Sequence, residues 1–117
     1  MMHPALKNAV KLSAKVAVYV PGTNGVDTAA DNTAVVEKVA AALSVMFGGA
    51  TAQTANGFWV SEAAGLVREN TTIVYAFADP ETLEKHLGDV VSIAQDIKRD
   101  LQQEAVSLEI NNTLYLI

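Results

Sequence analysis

Residues 57–77 contain two apolar segments joined by a short glycine-containing loop, and this pattern constrains the fold more than any other part of the chain. The first segment ends in Phe58-Trp59-Val60, and the second extends from Leu66 to Phe77. Aromatic and β-branched residues favour strands, and a connection of about three to five residues with a glycine is typical of a β-hairpin. We therefore predict a long antiparallel hairpin in the middle of the chain.

The other periodic segments place this hairpin within an α+β fold. The predicted strands are 16–20, 50–61, 66–77, 106–110 and 113–117, and the predicted helices extend from Asp31 or Asn32 to Phe47 and from Asp79 to about Gln103. The order is βαββαβ with an added C-terminal strand. Such an order describes a ferredoxin-like sandwich, in which an antiparallel sheet carries two helices on one face.

The chain length suits a single domain, for which we predict the range 16–117. Residues 1–15 form a separate N-terminal segment in which Lys7, Lys11 and Lys15 recur every four residues. This spacing favours a short amphipathic helix, but so short a helix is marginal by itself and either docks or frays.

Composition excludes several classes of function. Half of the 117 residues are hydrophobic and none is cysteine, so a packed core is expected, whereas thiolate metal sites and cysteine nucleophiles are ruled out. No apolar run approaches the roughly 20 residues that cross a bilayer, and no signal peptide is evident, so we expect a cytoplasmic protein without membrane contact. The net charge of −5 makes nucleic acid an improbable partner.

The sheet face opposite the helices is predicted to be unusually apolar. The small and branched residues of the first and third strands suit the helix side, which leaves a larger set for the open side: Tyr19, Trp59, Ile73, Tyr75 and Phe77. An apolar patch of this size on a monomer marks an interaction or ligand site. A second copy, the N-terminal segment, a ligand or another protein could cover it, and a homodimer is favoured because symmetric homodimers are the commonest oligomers.

Other candidate site residues have simpler structural interpretations. The histidines, His3 and His86, lack the additional ligands that a metal site needs. The carboxylates Glu62, Glu69 and Asp79 are interpreted as a loop, a strand and a helix-cap residue. Arg68 is a weak candidate for an anion contact. We predict no catalytic residues, no metal and no cofactor.

Several short motifs resemble a family of small bacterial proteins known only as a domain of unknown function. The motifs are Gly57-x-Trp59, Gly65-Leu66-Val67-x-Glu69-x-Thr71, Asp79-Pro80 and Gln103-Glu104-Ala105-Val106, and the resemblance covers residues 16–117. Many such relatives carry an export signal, which is not evident here. The resemblance implies no catalytic residues for this chain.

These observations favour a non-catalytic protein-interaction module that self-associates or binds a partner through its apolar sheet face. An inhibitor of host defence from a phage or mobile element is one version of this hypothesis. The alternative is a small-ligand-binding protein or a cofactor-free enzyme of the dimeric ferredoxin-like type, with a cavity between the aromatic face and its cover.

Overall fold

A computed structural model describes residues 3–25 and 28–117. Met1 and Met2 of the predicted N-terminal segment, and Val26 and Asp27 of the predicted loop after the first strand, lie outside the described residues. The strands are β1 (Ala14–Pro21), β2 (Thr23–Asn24), β3 (Thr28–Ala29), β4 (Thr51–Ser61), β5 (Gly65–Ala78), β6 (Ser107–Ile110) and β7 (Thr113–Leu116), and the helices are α1 (Thr33–Phe47) and α2 (Pro80–Asp100).

Five strands form one antiparallel sheet in the order β4-β5-β1-β6-β7. β1 lies at the centre, paired with β5 on one side through Tyr19 and Ile73 and with β6 on the other through Ala17 and Glu109. β2 and β3 form a separate two-stranded ribbon. The predicted α+β class, with two helices and an antiparallel sheet, is confirmed.

The two helices cover one face of this sheet. Alternate strand residues point into the core, which contains Val16, Val18 and Val20 of β1, Val74, Ala76 and Ala78 of β5, Val39 and Leu43 of α1, and Val90, Ala94 and Ile97 of α2. Side chains of one strand alternate between the two faces of a sheet, so the residues between these lie on the open face. The division into a branched helix side and an aromatic open side is therefore as predicted.

The β4–β5 hairpin is the longest element pair, with strands of 11 and 14 residues. Gly65 closes its turn with a φ of +73°, a conformation that glycine adopts without steric cost. The Ser61 hydroxyl accepts hydrogen bonds from the Ala63 and Ala64 amides within the turn. Phe58, Val60 and Leu66 near the hairpin tip are exposed.

Helix α2 begins and ends with defined hydrogen bonds. The Asp79 carboxylate accepts bonds from the Thr82 amide and hydroxyl, as expected of an N-cap. At the other end, the backbone N–H of Gln103 donates to the Lys98 carbonyl, and Gln102 has a φ of +52°. This is a Schellman ending in which glutamine occupies the position that glycine usually takes.

Within residues 3–13, the part before β1 that the structure describes, there is one 3-10 turn, Pro4–Leu6, where the lysine spacing favours a short α-helix. Lys15, already in β1, lies over the Tyr75 ring with its Nζ atom 4.9 Å from the ring centroid. Leu12, just before β1, lines a shallow concavity together with Phe47 and Tyr75. No helix within residues 3–25 and 28–117 has the length and apolar character needed to cross a membrane.

Candidate functional site

A groove crosses the open sheet face where the hairpin leaves the body of the protein. We call it the Glu69 groove, because Glu69 lines both of its adjoining sections. The first section, of about 210 Å³, lies over Tyr19, Gly57, Thr71 and Ser107. The second section, of about 200 Å³, lies between Trp59, Gly25 and Glu104. Two further residues, Gln103 and Ala105, line both sections.

Strand register places an acidic and an aromatic side chain together in this groove. Glu69 of β5 is paired with Gly57 of β4, and Trp59 follows two residues later on the same face of β4. Gly57 has no side chain, and a Cβ atom there would contact the Glu69 Cγ at 3.6 Å. Glycine therefore leaves the space beside the carboxylate open between β4 and β5.

The floor of the first section is a tyrosine whose hydroxyl is already bonded. The Tyr19 hydroxyl donates to Oε1 of Glu109 at 3.0 Å. Partial burial, followed by the hydrogen bond and the negative charge of Glu109, raises the pKa of the Tyr19 phenol. Tyr19 is therefore a neutral phenol that offers a ligand its ring and its oxygen lone pairs.

Gln103 holds the wall of the groove in place. Its Nε2 atom lies 2.9 Å from the Leu101 carbonyl, 3.0 Å from the Gly25 carbonyl and 3.1 Å from the Thr23 carbonyl. The Gly25 amide also donates to the Leu101 carbonyl at 2.8 Å. These bonds join the end of α2 to the turn after β1, so the segment 103–107 has a fixed position beside the sheet.

A larger concavity, of about 610 Å³, lies on the helix side of the hairpin near the start of α1. Several of its polar side chains form hydrogen bonds within the protein. The Asn32 side chain donates to the Val20 and Pro21 carbonyls, and the Asp31 carboxylate accepts from the Thr33 amide and hydroxyl. The Asn56 side-chain oxygen accepts from the Arg68 guanidinium at 3.2 Å. Arg68, the predicted anion contact, thus lies on the face away from the Glu69 groove.

The structure places the five predicted open-face residues in two groups. Tyr19 and Trp59 line the Glu69 groove. Ile73, Tyr75 and Phe77 continue along the same face toward the other end of β5, where the Tyr75 and Phe77 rings meet edge to face at 6.0 Å. Their assignment as a binding or interface surface stays a prediction.

The predicted histidines lie far apart in the chain and serve local contacts. His86 lies 3.3 Å from the Asp89 carboxylate and meets the Phe47 ring edge to face at 5.7 Å. His3 Nδ1 accepts from the Ala5 amide. Among the described residues, histidine and acidic side chains nowhere form a cluster of three that would hold a metal ion.

Sequence reasoning missed Glu69 and Gln103 as site residues. The sequence explains Glu69 as a strand residue, whereas the structure shows it partly buried and lining the groove. One signal was present in the hairpin itself: its sequence holds a glycine, an aromatic residue two positions later and a carboxylate on the opposite strand, and the observed register sets Glu69 across from Gly57. Gln103 gave no such signal, because its partners lie about 80 residues away in sequence.

The arrangement suits a cationic ligand with a flat ring system. A carboxylate attracts positive charge, and the indole and phenol faces attract both cations and stacked rings. Both sections are open to solvent on one side, so the groove would cover only one side of a bound ligand.

Comparison with solved structures finds a protein of the same overall shape. A phage SAM lyase in complex with S-methyl-5′-thioadenosine superposes with a TM-score of 0.68 and 21% identity, over 96% of this chain and 94% of the lyase. A phage SAM lyase in its apo state superposes with a TM-score of 0.63 and 21% identity, over 90% and 88% of the two chains. No protein-family model and no curated protein sequence matches the chain. At this identity the likeness shows a shared fold.

The likeness contradicts the non-catalytic interaction module favoured by the sequence, together with the inclination against an enzyme. The solved structures that share this fold are phage SAM lyases, which are enzymes, and the match covers nearly the whole of both chains. An open apolar face fits a protein-binding surface as well as a ligand site, and the sequence pattern does not distinguish the two. The alternative, a small-ligand-binding protein or cofactor-free enzyme, agrees better with the comparison.

Proposed function

We propose that this protein is a SAM lyase that releases S-methyl-5′-thioadenosine (MTA) from S-adenosylmethionine. The observation that carries the proposal is the superposition on a phage SAM lyase holding MTA, which leaves almost none of either chain unmatched. The Glu69 groove supports it independently, because its carboxylate and aromatic rings suit a nucleoside that bears a positive charge.

The chemistry follows from the atoms that MTA retains. MTA keeps the ribose, the sulfur and its methyl group, so the bond that breaks joins sulfur to Cγ of the methionine part. The bonding electron pair goes to sulfur and turns the sulfonium into a neutral thioether. A lyase adds no water, so Cγ is attacked by the carboxylate of the same molecule, or the neighbouring carbon loses a proton to a base. The first route balances without any proton transfer.

In this reaction the groove orients the substrate and compensates its charge. Glu69 sits where both sections meet, next to the gap left by Gly57, and we assign its carboxylate to the positively charged part of the substrate. The neutral Tyr19 ring forms the floor beside it. Glu69 would also be the base if the route by proton loss applies.

Incubation of the purified protein with S-adenosylmethionine tests the proposal, with chromatographic detection of MTA. S-Adenosylhomocysteine is the matched substrate control: it has the same nucleoside with a neutral sulfur, and we expect it to remain intact. In H₂¹⁸O, the four-carbon product should be unlabelled when first formed. Absence of MTA formation, or immediate ¹⁸O incorporation, would contradict a lyase.

The variant Glu69→Gln keeps the size of the side chain and removes its charge. We expect its kcat/KM to fall about 10- to 100-fold, since bonds to charged groups contribute about 1.5–3 kcal/mol. Glu62→Gln in the hairpin turn is the matched control and should keep its activity, because Glu62 is exposed and does not line the groove.

We further propose that the fold is ferredoxin-like and that the protein self-associates through its open face. The first proposal is supported by the order β4-β5-β1-β6, which follows a βαββαβ chain, with β7 added at the edge. The second is supported by the aromatic residues beyond the groove and by the shallow shape of the groove itself. A second copy on this face would enclose a bound ligand.

A further inference from the structure

Gln103 has an unusual hydrogen-bonding state for a residue that lines a groove. Three backbone carbonyls surround its Nε2 atom within 3.1 Å. Carbonyl oxygens only accept hydrogen bonds, so the atom among them must be the NH₂ group, and the two ends of the amide are distinguished. Both of its hydrogens are therefore committed to the protein.

The other end of the same amide is an acceptor with capacity left. Among the hydrogen bonds formed within residues 3–25 and 28–117, none reaches Gln103 Oε1. No buried side-chain polar atom in the described part of the chain lacks a partner, so the unbonded Oε1 atom is not buried. Gln103 contributes to both sections of the Glu69 groove. The amide thus offers a held carbonyl oxygen that selects for a hydrogen-bond donor on a ligand.

The neighbouring residues indicate which donor this is. Trp59 lines the same section as Gln103 and provides a face on which a purine ring can stack. Glu69, where the two sections meet, suits the ribose and the charged sulfur. A base stacked at Trp59 would present the groups on its edge to the segment that begins at Gln103.

We infer that Gln103 Oε1 accepts a hydrogen bond from the 6-amino group of the adenine ring and so makes Gln103 a specificity-determining residue. The inference rests on the proposed function, because it assigns the nucleoside part of that substrate. Gln103 acts by binding and takes no part in breaking the carbon–sulfur bond. The three carbonyl contacts hold its amide in the orientation that prefers adenine to a purine without a 6-amino group.

Calorimetry with MTA and with its analogue lacking the 6-amino group tests the inference. MTA is uncharged, so a change in protein charge disturbs its binding little. The variant Gln103→Lys keeps three donors for the three carbonyls and has no acceptor. We expect the wild type to bind MTA about tenfold more tightly than the analogue, a difference in Kd that one hydrogen bond can supply. The Q103K variant should bind both ligands equally.

Four outcomes would overturn the inference. A wild type that binds both ligands equally, or a Q103K variant that keeps the preference, overturns it while leaving the proposed function intact. A wild type that binds neither ligand overturns both. If Q103K fails to fold, the ¹³Cδ resonance of Gln103 in the wild type decides: it should move on addition of MTA and stay in place with the analogue. A resonance that ignores MTA rejects the contact.

Discussion

At the scale of single residues, backbone conformation and side-chain size set two strict local requirements. Gln102 adopts a positive φ at the end of α2, where a side chain is disfavoured. Gly22 lies so close to β5 that a Cβ atom there would be 2.7 Å from the Asn70 carbonyl oxygen. Position 102 therefore accepts glutamine, although glycine would make the protein more stable there. Position 22 accepts only glycine.

Gln102→Gly is expected to stabilise the protein by about 0.5–1 kcal/mol, because glycine removes the steric cost of the left-handed conformation. Chemical denaturation measures the change. The control Lys98→Gly, in the last turn of the same helix, should lower the free energy of unfolding by about 1 kcal/mol. A destabilised Q102G would mean that the glutamine side chain makes a contact of its own.

Gly22→Ala is expected to destabilise the protein by about 1–3 kcal/mol, since backbone must move to admit the methyl group. The same movement would loosen the hydrogen bond from the Gly22 amide to the Asn70 carbonyl. Gly49→Ala is the control, because a Cβ atom there meets nothing within 4 Å. Equal thermal stability of the two variants would rule out the predicted clash.

At the scale of elements, much of the fold follows from the sequence because its signals are local. Alternation in residues 66–77 predicts β5, and Asp79-Pro80 predicts the start of α2; both agree with the structure to within one or two residues. The Glu69 groove does not follow in the same way. It is formed where segments distant in sequence meet, as in the contact of Gln103 with the turn at Thr23, and no periodic pattern encodes that meeting.

Helix α2 gives a prediction for the dependence of stability on pH. Hydrogen bonds from the Thr82 amide and then its hydroxyl lower the pKa of Asp79 in the folded state. A lowered pKa means that the stabilisation is present above the unfolded pKa, about 3.9, and is lost as the pH falls through the folded value. Asp79→Ala should therefore be less stable than the wild type at neutral pH, with a gap that narrows under acid conditions.

Thermal melts of both proteins between about pH 7 and pH 2 measure that gap. Asp79→Asn serves as the control, since asparagine caps a helix without titrating. Its melting temperature should exceed that of Asp79→Ala at every pH. A constant difference between the wild type and Asp79→Ala across the whole range would show that the cap does not depend on the charge.

At the scale of the whole molecule, the described residues form a long body, with extents of 55 × 25 × 21 Å. The helices cover one side of the sheet, and the opposite side carries aromatic residues along β5. Tyr75 and Phe77 lie at the end of β5 away from the hairpin tip, and the Lys15 ammonium group lies over both rings. An uncovered face of this kind favours the self-association proposed above.

Tyr75→Asp should shift the protein toward the monomer in analytical ultracentrifugation, because a charge buried at an apolar interface is costly. Val45→Asp is the matched control: Val45 is 88% exposed on the outer side of α1, so the same substitution there should leave the mass unchanged. A wild type that sediments as a monomer at high concentration would contradict self-association through this face.

Trp59 has a further consequence, since it is the only tryptophan in the chain and lies within the groove, 39% exposed. Its fluorescence should change when adenine stacks on the indole, so MTA should quench the emission in a saturable manner. Trp59→Phe should remove the signal and keep an aromatic face for the ligand. Emission that stays constant at ligand concentrations saturating in calorimetry would place the base elsewhere. The unlabelled protein thus carries its own optical reporter, and occupancy of the groove can be followed in real time.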